Sequence, residues 1–246
     1  MRFGAGTSAG PLRYVGTSWG EFAIMISTMA RARARTVLGG LLYPAAMKRA
    51  HAQAAQVWSS IEPRLQISTP MGPTKRRARF ARHILDADLP MPARYLEVGS
   101  FEGDSLAFVH ALLKGRVRVT AIDPFENYDE LPGIEMSTVE RRFLANVKAI
   151  GAEVRVLRGS SVVHLPQLIA ADELFDLIYI DGSHATLDVM TDAVLGWRLL
   201  APTGLMIFDD YRLPECGSAI DAFIDAVKRE AIVIEVASQV FLQRRG

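Results

Sequence analysis

The chain has one cysteine, Cys216, in 246 residues. A single thiol excludes an internal disulfide and a thiolate zinc cluster, so nothing ties the protein to an oxidising compartment, and a cytoplasmic location is expected. Long apolar runs are also missing. Residues 22–30 and 37–47 are the longest candidates, and both fall short of the ~20 residues a membrane span needs. Acidic residues are scarce at one end: the first 82 positions hold 13 Lys and Arg against Glu21 and Glu62, whereas the remainder holds 15 basic and 25 acidic residues. Such opposed halves suit either a basic arm for an anionic partner or an arm that packs on its own acidic domain. No basic motif interleaved with aromatics is present, so the second is expected and nucleic acid is not. Peripheral contact of the basic arm with an anionic membrane surface stays open. The N-terminal stretch through Gly20 is rich in Gly, Ser and Thr, with two arginines and no acid. It lacks an amphipathic helix or a cleavage pattern, and disorder is expected there rather than a transit peptide.

What is present is ample core material, at 50% hydrophobic residues. Residues 21–60 read as two helices, with Phe22, Met25, Ile26 and Met29 at helical spacing and Pro44 placed to start the second, ending near Trp58. Trp19, Phe22, Met25, Tyr43, Trp58 and Met71 suit core or oligomer contacts, with pocket walls as the alternative. Residues 68–73 form a Pro/Gly connection. A helix from Thr74 through Leu85 then turns Phe80, Ile84 and Leu85 inward and Lys75, Arg76, Arg77, Arg79 and Arg82 largely outward. The expected division is a basic, partly disordered, helical extension over residues 1–73 and a folded domain over residues 74–246.

From Arg94 onward short apolar strands alternate with helices. Strands are expected at residues 95–98, 118–122, 153–157, 177–180 and 205–208, and helices at 105–113, 137–150, 162–170 and 185–200. This pattern specifies an α/β fold, a doubly wound and mostly parallel sheet covered on both faces. A helix near 218–229 leads to strands at 232–236 and 239–242. Two intervening residues are too few for a parallel crossover, so this last pair must be an antiparallel hairpin, giving seven strands in all.

Ligands on such sheets sit beyond the carboxyl ends of the strands. The polar residues standing there are Glu97 with Gly99, Asp123, Gly159-Ser160-Ser161, Asp181 with His184, and Asp209-Asp210. The turn after the first strand, in RYLEVGSFEGDS, is E-x-G-x-x-x-G rather than G-x-G-x-x-G, which makes a dinucleotide the weaker ligand. Its glycines let the backbone turn tightly and leave a ligand room to approach. Asp123, at the end of the second strand, can accept both hydroxyls of a ribose.

With those residues in view, the segment from Tyr95 to Leu242 resembles a class I S-adenosylmethionine-dependent methyltransferase. FDLIYIDGSH, LLAPTGLMIFDDY and the closing QVFL resemble the small-molecule O-methyltransferase branch that includes catechol-type enzymes. The resemblance is confined to that segment and leaves the basic extension unmatched. It implies that Glu97 and Gly99 hold the methionine end of S-adenosylmethionine, Asp123 the ribose, and Ser160 and Ser161 the adenine region, with Ser100, Gly103, Ser105, Pro124 and Asp181 also binding the cofactor. In the metal-dependent relatives the strand-four aspartate binds magnesium, a lysine three residues on is the base, and an Asp-Asn pair completes the metal site. Here Asp181, Asp209 and Asp210 would be the metal ligands, and His184 stands where the lysine would be. Three carboxylates form a hard oxygen site suited to Mg²⁺ or another divalent cation. A histidine, with an unperturbed pKa of about 6.5, can take a proton from a hydroxyl near neutral pH.

The expected activity is methyl transfer to a hydroxyl of a small molecule, with Asp181 and His184 as the catalytic pair and divalent-metal assistance. The alternative is a nucleoside-binding module whose basic extension docks on an anionic surface or nucleic acid. A homodimer is compatible with either. The loop at 124–133 is a candidate lid, and His51, His83, His110 and His164 are expected to be ordinary surface or boundary residues.

Overall fold

The computed structural model describes residues 45–68, 74–126 and 136–246. The first helix expected after residue 21, with Trp19, Phe22, Met25 and Tyr43, as well as Met71 and most of the loop at 124–133, lies outside the described residues. Met47–Gly246 form one compact unit.

A helix, α1, runs through residues 45–61 and ends in a single 3-10 turn, Glu62–Arg64. Helix α2 (Thr74–Asp86) precedes the alternating region: β1 (Ala93–Val98), α3 (Asp104–Leu112), β2 (Val117–Asp123), α4 (Met136–Ile150), β3 (Val154–Arg158), α5 (Ser161–Ala170), β4 (Phe175–Ile180), α6 (Thr186–Leu199) and β5 (Leu200–Phe208). Helix α7 (Pro214–Val227), β6 (Ala231–Val236) and β7 (Val240–Arg244) close the chain. The seven strands form one sheet in the order β3-β2-β1-β4-β5-β7-β6. The first five pair in parallel, and β7 runs antiparallel to both β5 and β6. The expected hairpin is there for the expected reason: the connection from β6 to β7 is too short to cross over.

Position in the sheet accounts for the strand sequences. β4, FDLIYI, is buried at every position because it is central and covered on both faces, whereas the edge strand β3 has no fully buried residue. Alternation along each strand sorts its side chains between two cores. Tyr95, Leu177, Tyr179, Ile207 and Phe241 pack with residues of α1, α2, α3 and α4. Leu96, Val98, Ile178, Ile180, Met206 and Phe208 pack with α5, α6 and α7. Met47, Ala50, Ala54, Trp58 and Ile61 of α1 belong to the first core, so packing is continuous across residue 73.

Helix α2 departs from expectation. Phe80 and Ile84 face inward as expected, but the cations beside them are not a solvated face. Arg77 is buried, with its guanidinium 3.5 Å over the ring of Trp58, and Arg76 and Arg79 are half-buried in ion pairs. His83, expected at a boundary, is buried, stacks on Phe241 and meets Glu235 Oε2 at 2.7 Å, while Arg79 donates to the other oxygen at 2.8 Å. α2 therefore binds to β6 through charge as well as apolar contact.

Candidate active site

The strand order reverses between β1 and β4, and the residues that follow these strands meet there. Gly99 donates to Ile122, Asp181 to Val98, and Asp209 to Ile180, each through its backbone N–H at 2.8–3.0 Å. The polar strand ends are thus bonded side by side into one edge, and a cavity of about 140 Å³ opens beside them. Gly99, Ser100, Ser105, Asp181 and Asp209 line it, together with Ile67, Arg76, Phe101, Glu102 and Asp104.

Glu97 lies beneath the glycine turn, fully buried. The Tyr95 hydroxyl donates to one of its oxygens and the Ser105 hydroxyl to the other, the latter at 2.5 Å. Burial outweighs these bonds and pushes its carboxyl up to about 8, with Asp181 and Asp104 adding repulsion. Asp123 ends β2, and its carboxylate fastens the turn. One oxygen accepts the N–H groups of Ser100 and Phe101, each at 2.8 Å, and the other accepts that of Phe125 at 2.7 Å. Burial raises this acid as well, against the three amide bonds. The first oxygen thus has both lone pairs engaged, and the second retains one for a further donor such as a ribose hydroxyl.

The glycines serve the protein more directly than expected. Gly99 sits at φ +82°, and a Cβ there would stand 2.1 Å from the carbonyl oxygen of Asp181. Its missing side chain lets the β1 turn lie against the end of β4. Gly103, at φ +78°, caps α3 and abuts the ring of Phe143. Both positions are closed by the protein's own atoms, a reason distinct from ligand access.

On the other side of the reversal, the Tyr179 hydroxyl touches both Asp181, at 2.9 Å, and Asp209. The phenol thus bridges the two acids. Burial raises the Asp181 carboxyl to about 7 against the pull of Arg76. Asp210 follows at φ +50°, a left-handed conformation uncommon for a residue with a side chain. Its N–H bonds the Asp209 side chain at 2.7 Å, and its own carboxylate points to different partners. His184 Nε2 stands 3.1 Å from Asp210 Oδ2, and this contact, with Arg76 and against burial, holds Asp210 below the usual carboxylate range. Asp181, Asp209 and Asp210 can each offer one oxygen within 4.8 Å of the others.

The structure therefore brings Glu97, Gly99, Ser100, Gly103, Ser105, Asp123, Asp181, His184, Asp209 and Asp210 to one edge, with Pro124 next to Asp123. Ser160 and Ser161 are one strand further out, at the start of α5, and do not line the cavity. The Ser161 hydroxyl is engaged by Asp192. Four residues escaped the sequence reading. Arg76 reaches Asp209 and Asp210 from α2, and Tyr179 links two of the acids. Gln239, wholly buried, has its Nε2 3.5 Å from Asp209. Glu102, also buried, accepts the backbone N–H and hydroxyl of Ser68 and a 2.6 Å bond from Arg142, which ties the segment carrying Ile67 to the cavity wall. Arg76 had a legible signal: positions 76, 77, 80, 81 and 84 make one helical stripe.

Residues 96–211 match a family model described as a methyltransferase domain. Among curated proteins, the O-methyltransferase hkm8 of Aspergillus hancockii is 32% identical over 120 residues, covering 48% of this chain and 43% of that protein. Mycinamicin III 3''-O-methyltransferase of Micromonospora griseorubida is 25% identical over 200 residues, covering 70% and 76%. The chain thus spans less than half of the Aspergillus relative's length. Two solved structures share the fold. The MycE methyltransferase in complex with Mg, SAH and mycinamycin VI gives a TM-score of 0.52 at 18% identity, over 78% of this chain and 54% of that one. The O-methyltransferase from Bacillus cereus in complex with SAH gives 0.51 at 17%, over 79% and 91%. The strand reversal and the glycine turn at its edge agree with these likenesses: residues 96–211 match a methyltransferase domain, set in the fold that the two solved methyltransferases share.

Proposed function

We propose that the protein methylates a hydroxyl of a small molecule, with His184 as general base and a divalent cation assisting at Asp181, Asp209 and Asp210. The observation that carries this reading is the placement of His184, 3.1 Å from an Asp210 carboxylate, in a small pocket that shares Asp181 and Asp209 with the acidic cavity. S-adenosylmethionine, when bound, supplies a methyl group on a positively charged sulfur. The cavity suits such a ligand: among the described residues, Glu102, Asp104, Asp181 and Asp209 line it against the single cation Arg76, and the buried Ser100 hydroxyl has no partner among those residues.

Each chain residue then has a role. Asp123 holds the turn through backbone amides and keeps one lone pair for the ribose. Ser105, braced by Glu97, faces the methionine end. Asp210 orients His184, which accepts the proton of the substrate hydroxyl as its oxygen attacks. The three carboxylates supply hard oxygen donors of the kind that Mg²⁺ prefers, and one homologous fold, MycE, has been crystallised with Mg. A cation there would polarise the substrate oxygen and lower the barrier to losing its proton.

The test is transfer of labelled methyl from S-adenosylmethionine to a panel of phenolic and sugar-containing alcohols, with cofactor affinity measured by calorimetry. Label on a substrate oxygen is expected. No affinity for the cofactor overturns the reading, and full turnover after exhaustive chelation removes the metal from it while leaving methyl transfer standing.

A further inference from the structure

The acidic cluster at the ends of β4 and β5 already meets a cation that belongs to the chain. Arg76 Nη2 contacts Asp209 Oδ2 and lies 3.5 Å from Asp210 Oδ1, and its charge also acts on Asp181. One guanidinium thus answers the charge of all three acids. It cannot answer their geometry, because it is planar and offers only N–H donors, whereas Mg²⁺ gathers oxygens octahedrally at about 2.0–2.1 Å, and Mn²⁺ favours the same arrangement.

Two buried atoms record the mismatch. Among the described residues, Arg76 Nε has no partner, so the guanidinium is only partly satisfied where it lies. Gln239, with no exposed surface, brings its amide to Asp209 and among the same residues leaves Oε1 without a donor. An unpaired buried amide oxygen costs about 1–3 kcal/mol, and a water held by a cation at the neighbouring carboxylates would relieve it. Charge demand, donor set and an orphaned acceptor converge on a site that takes a divalent ion in place of the arginine.

We propose that Arg76 is the resident counter-cation of the Asp181–Asp209–Asp210 cluster and competes with a divalent metal for it, withdrawing when the ion binds. The inference rests on the reading of these acids as a cation site given above. Arg76 also lines the cavity beside Gly99 and Ser105, so its withdrawal takes away part of the wall facing the cofactor turn. Metal loading and reshaping of the cavity become one event, with Arg76 setting how much metal is needed to bring it about.

Mn²⁺ binding to the intact protein, read from the electron paramagnetic resonance of the free ion, tests this without reference to turnover. Removing the competing charge in R76Q, or in R76M as a second charge-free variant, is expected to tighten Mn²⁺ binding by ~10-fold or more. R76K keeps the charge and is expected to stay within about threefold of the wild type. Adding D210N to R76Q should abolish the gain, which ties it to the cluster. Equal or weaker Mn²⁺ affinity in the charge-free variants, or no Mn²⁺ binding by any of the proteins, overturns the proposal. SAH titration of the same samples separates the two levels. Normal SAH binding with an unresponsive Mn²⁺ affinity removes the role of Arg76 alone, whereas a wild type that binds no SAH removes the methyl-transfer reading beneath it.

Discussion

Two pairs of acids in this protein have their negative charge answered in different ways. Around the glycine turn, Glu97 and Asp123 receive only neutral donors, from hydroxyls and backbone amides, and both carboxyls are held above their ordinary range. Facing α2 and the end of β4, Asp210 and Glu235 receive cations, from Arg76 and His184 in one case and Arg79 and His83 in the other, and both are held below it. Among the described residues, Glu97 and Asp123 have no cation as a partner and are disposed to accept one from a ligand, although their neighbour Glu102 is paired with Arg142. The second has its cations built in, mostly by a helix that precedes the first strand. Asp181 lies where the two meet, raised by burial and pulled back by Arg76.

The largest effects should come from removing the group on which each half depends. In our proposal, Asp123 offers a charge-assisted hydrogen bond to a ribose hydroxyl, worth about 1.5–3 kcal/mol, and its three amide bonds hold the turn against which the cofactor lies. Asp123→Ala should therefore weaken S-adenosylmethionine binding by ~100-fold or more, beyond ready detection by calorimetry. Unchanged affinity would take the cofactor away from this half. Across the reversal, His184→Ala should lower turnover by ~10²–10⁴-fold at neutral pH, the usual worth of a positioned base. That loss should shrink as pH rises and the substrate hydroxyl ionises unaided. A pH-independent loss would make His184 a structural partner of Asp210 and blur the comparison.

The first region was the more legible in the sequence. Apolar runs such as FDLIYI and LMIF mark central strands, and parallel connectivity sends every strand's carboxyl end to the same edge, so acids at those ends had to assemble. The two-residue gap after Val236 likewise forced the hairpin. What stayed hidden depends on contacts between distant segments. Nothing near Gly99 announces that its Cβ would strike Asp181, at the end of a different strand. Five cations between Lys75 and Arg82 read as a solvated face, because burying a charge is expensive until its partner is known. Those partners, Asp209, Asp210 and Glu235, belong to the far end of the chain, after β5 and in β6. The helical stripe through positions 76, 77, 80 and 84 was the available clue, and the chemistry of arginine argued against following it.

A smaller effect separates the regions by the sign of their response to pH. Glu97 is raised by burial to about 8 from an ordinary 4.5. The unfolded chain therefore releases this proton first, and the stability associated with Glu97 is fully present below pH 4.5 and declines as pH rises toward 8. Denaturant titrations of the cofactor-free protein at pH 5, 6.5 and 8 should show the wild type losing ground to Glu97→Gln across that window. Parallel curves would mean that Glu97 ionises freely and that the turn does not wait for a ligand's charge.

The smallest effect should have the opposite slope. Burial alone would raise Glu235, but its bonds to His83 and Arg79 outweigh burial and hold it below 4.5. Here the folded state releases the proton first, so the pair stabilises the protein above pH 4.5 and ceases to do so as pH falls through the folded value. The site is partly open to solvent, which limits the contribution to about 1–2 kcal/mol, or a fall of a few degrees in Tm for Glu235→Gln at pH 7. The difference between variant and wild type should close as pH falls through that folded value, where neither carries a charge at this position, whereas the Glu97→Gln difference should widen toward alkaline pH. Two carboxyls on one sheet, each replaced by its amide, would then trace opposite slopes. Should both trace the same slope, the cations of α2 are not compensating charge at β6, and the division between acids without a cation partner and acids with one fails at the place where it is easiest to measure.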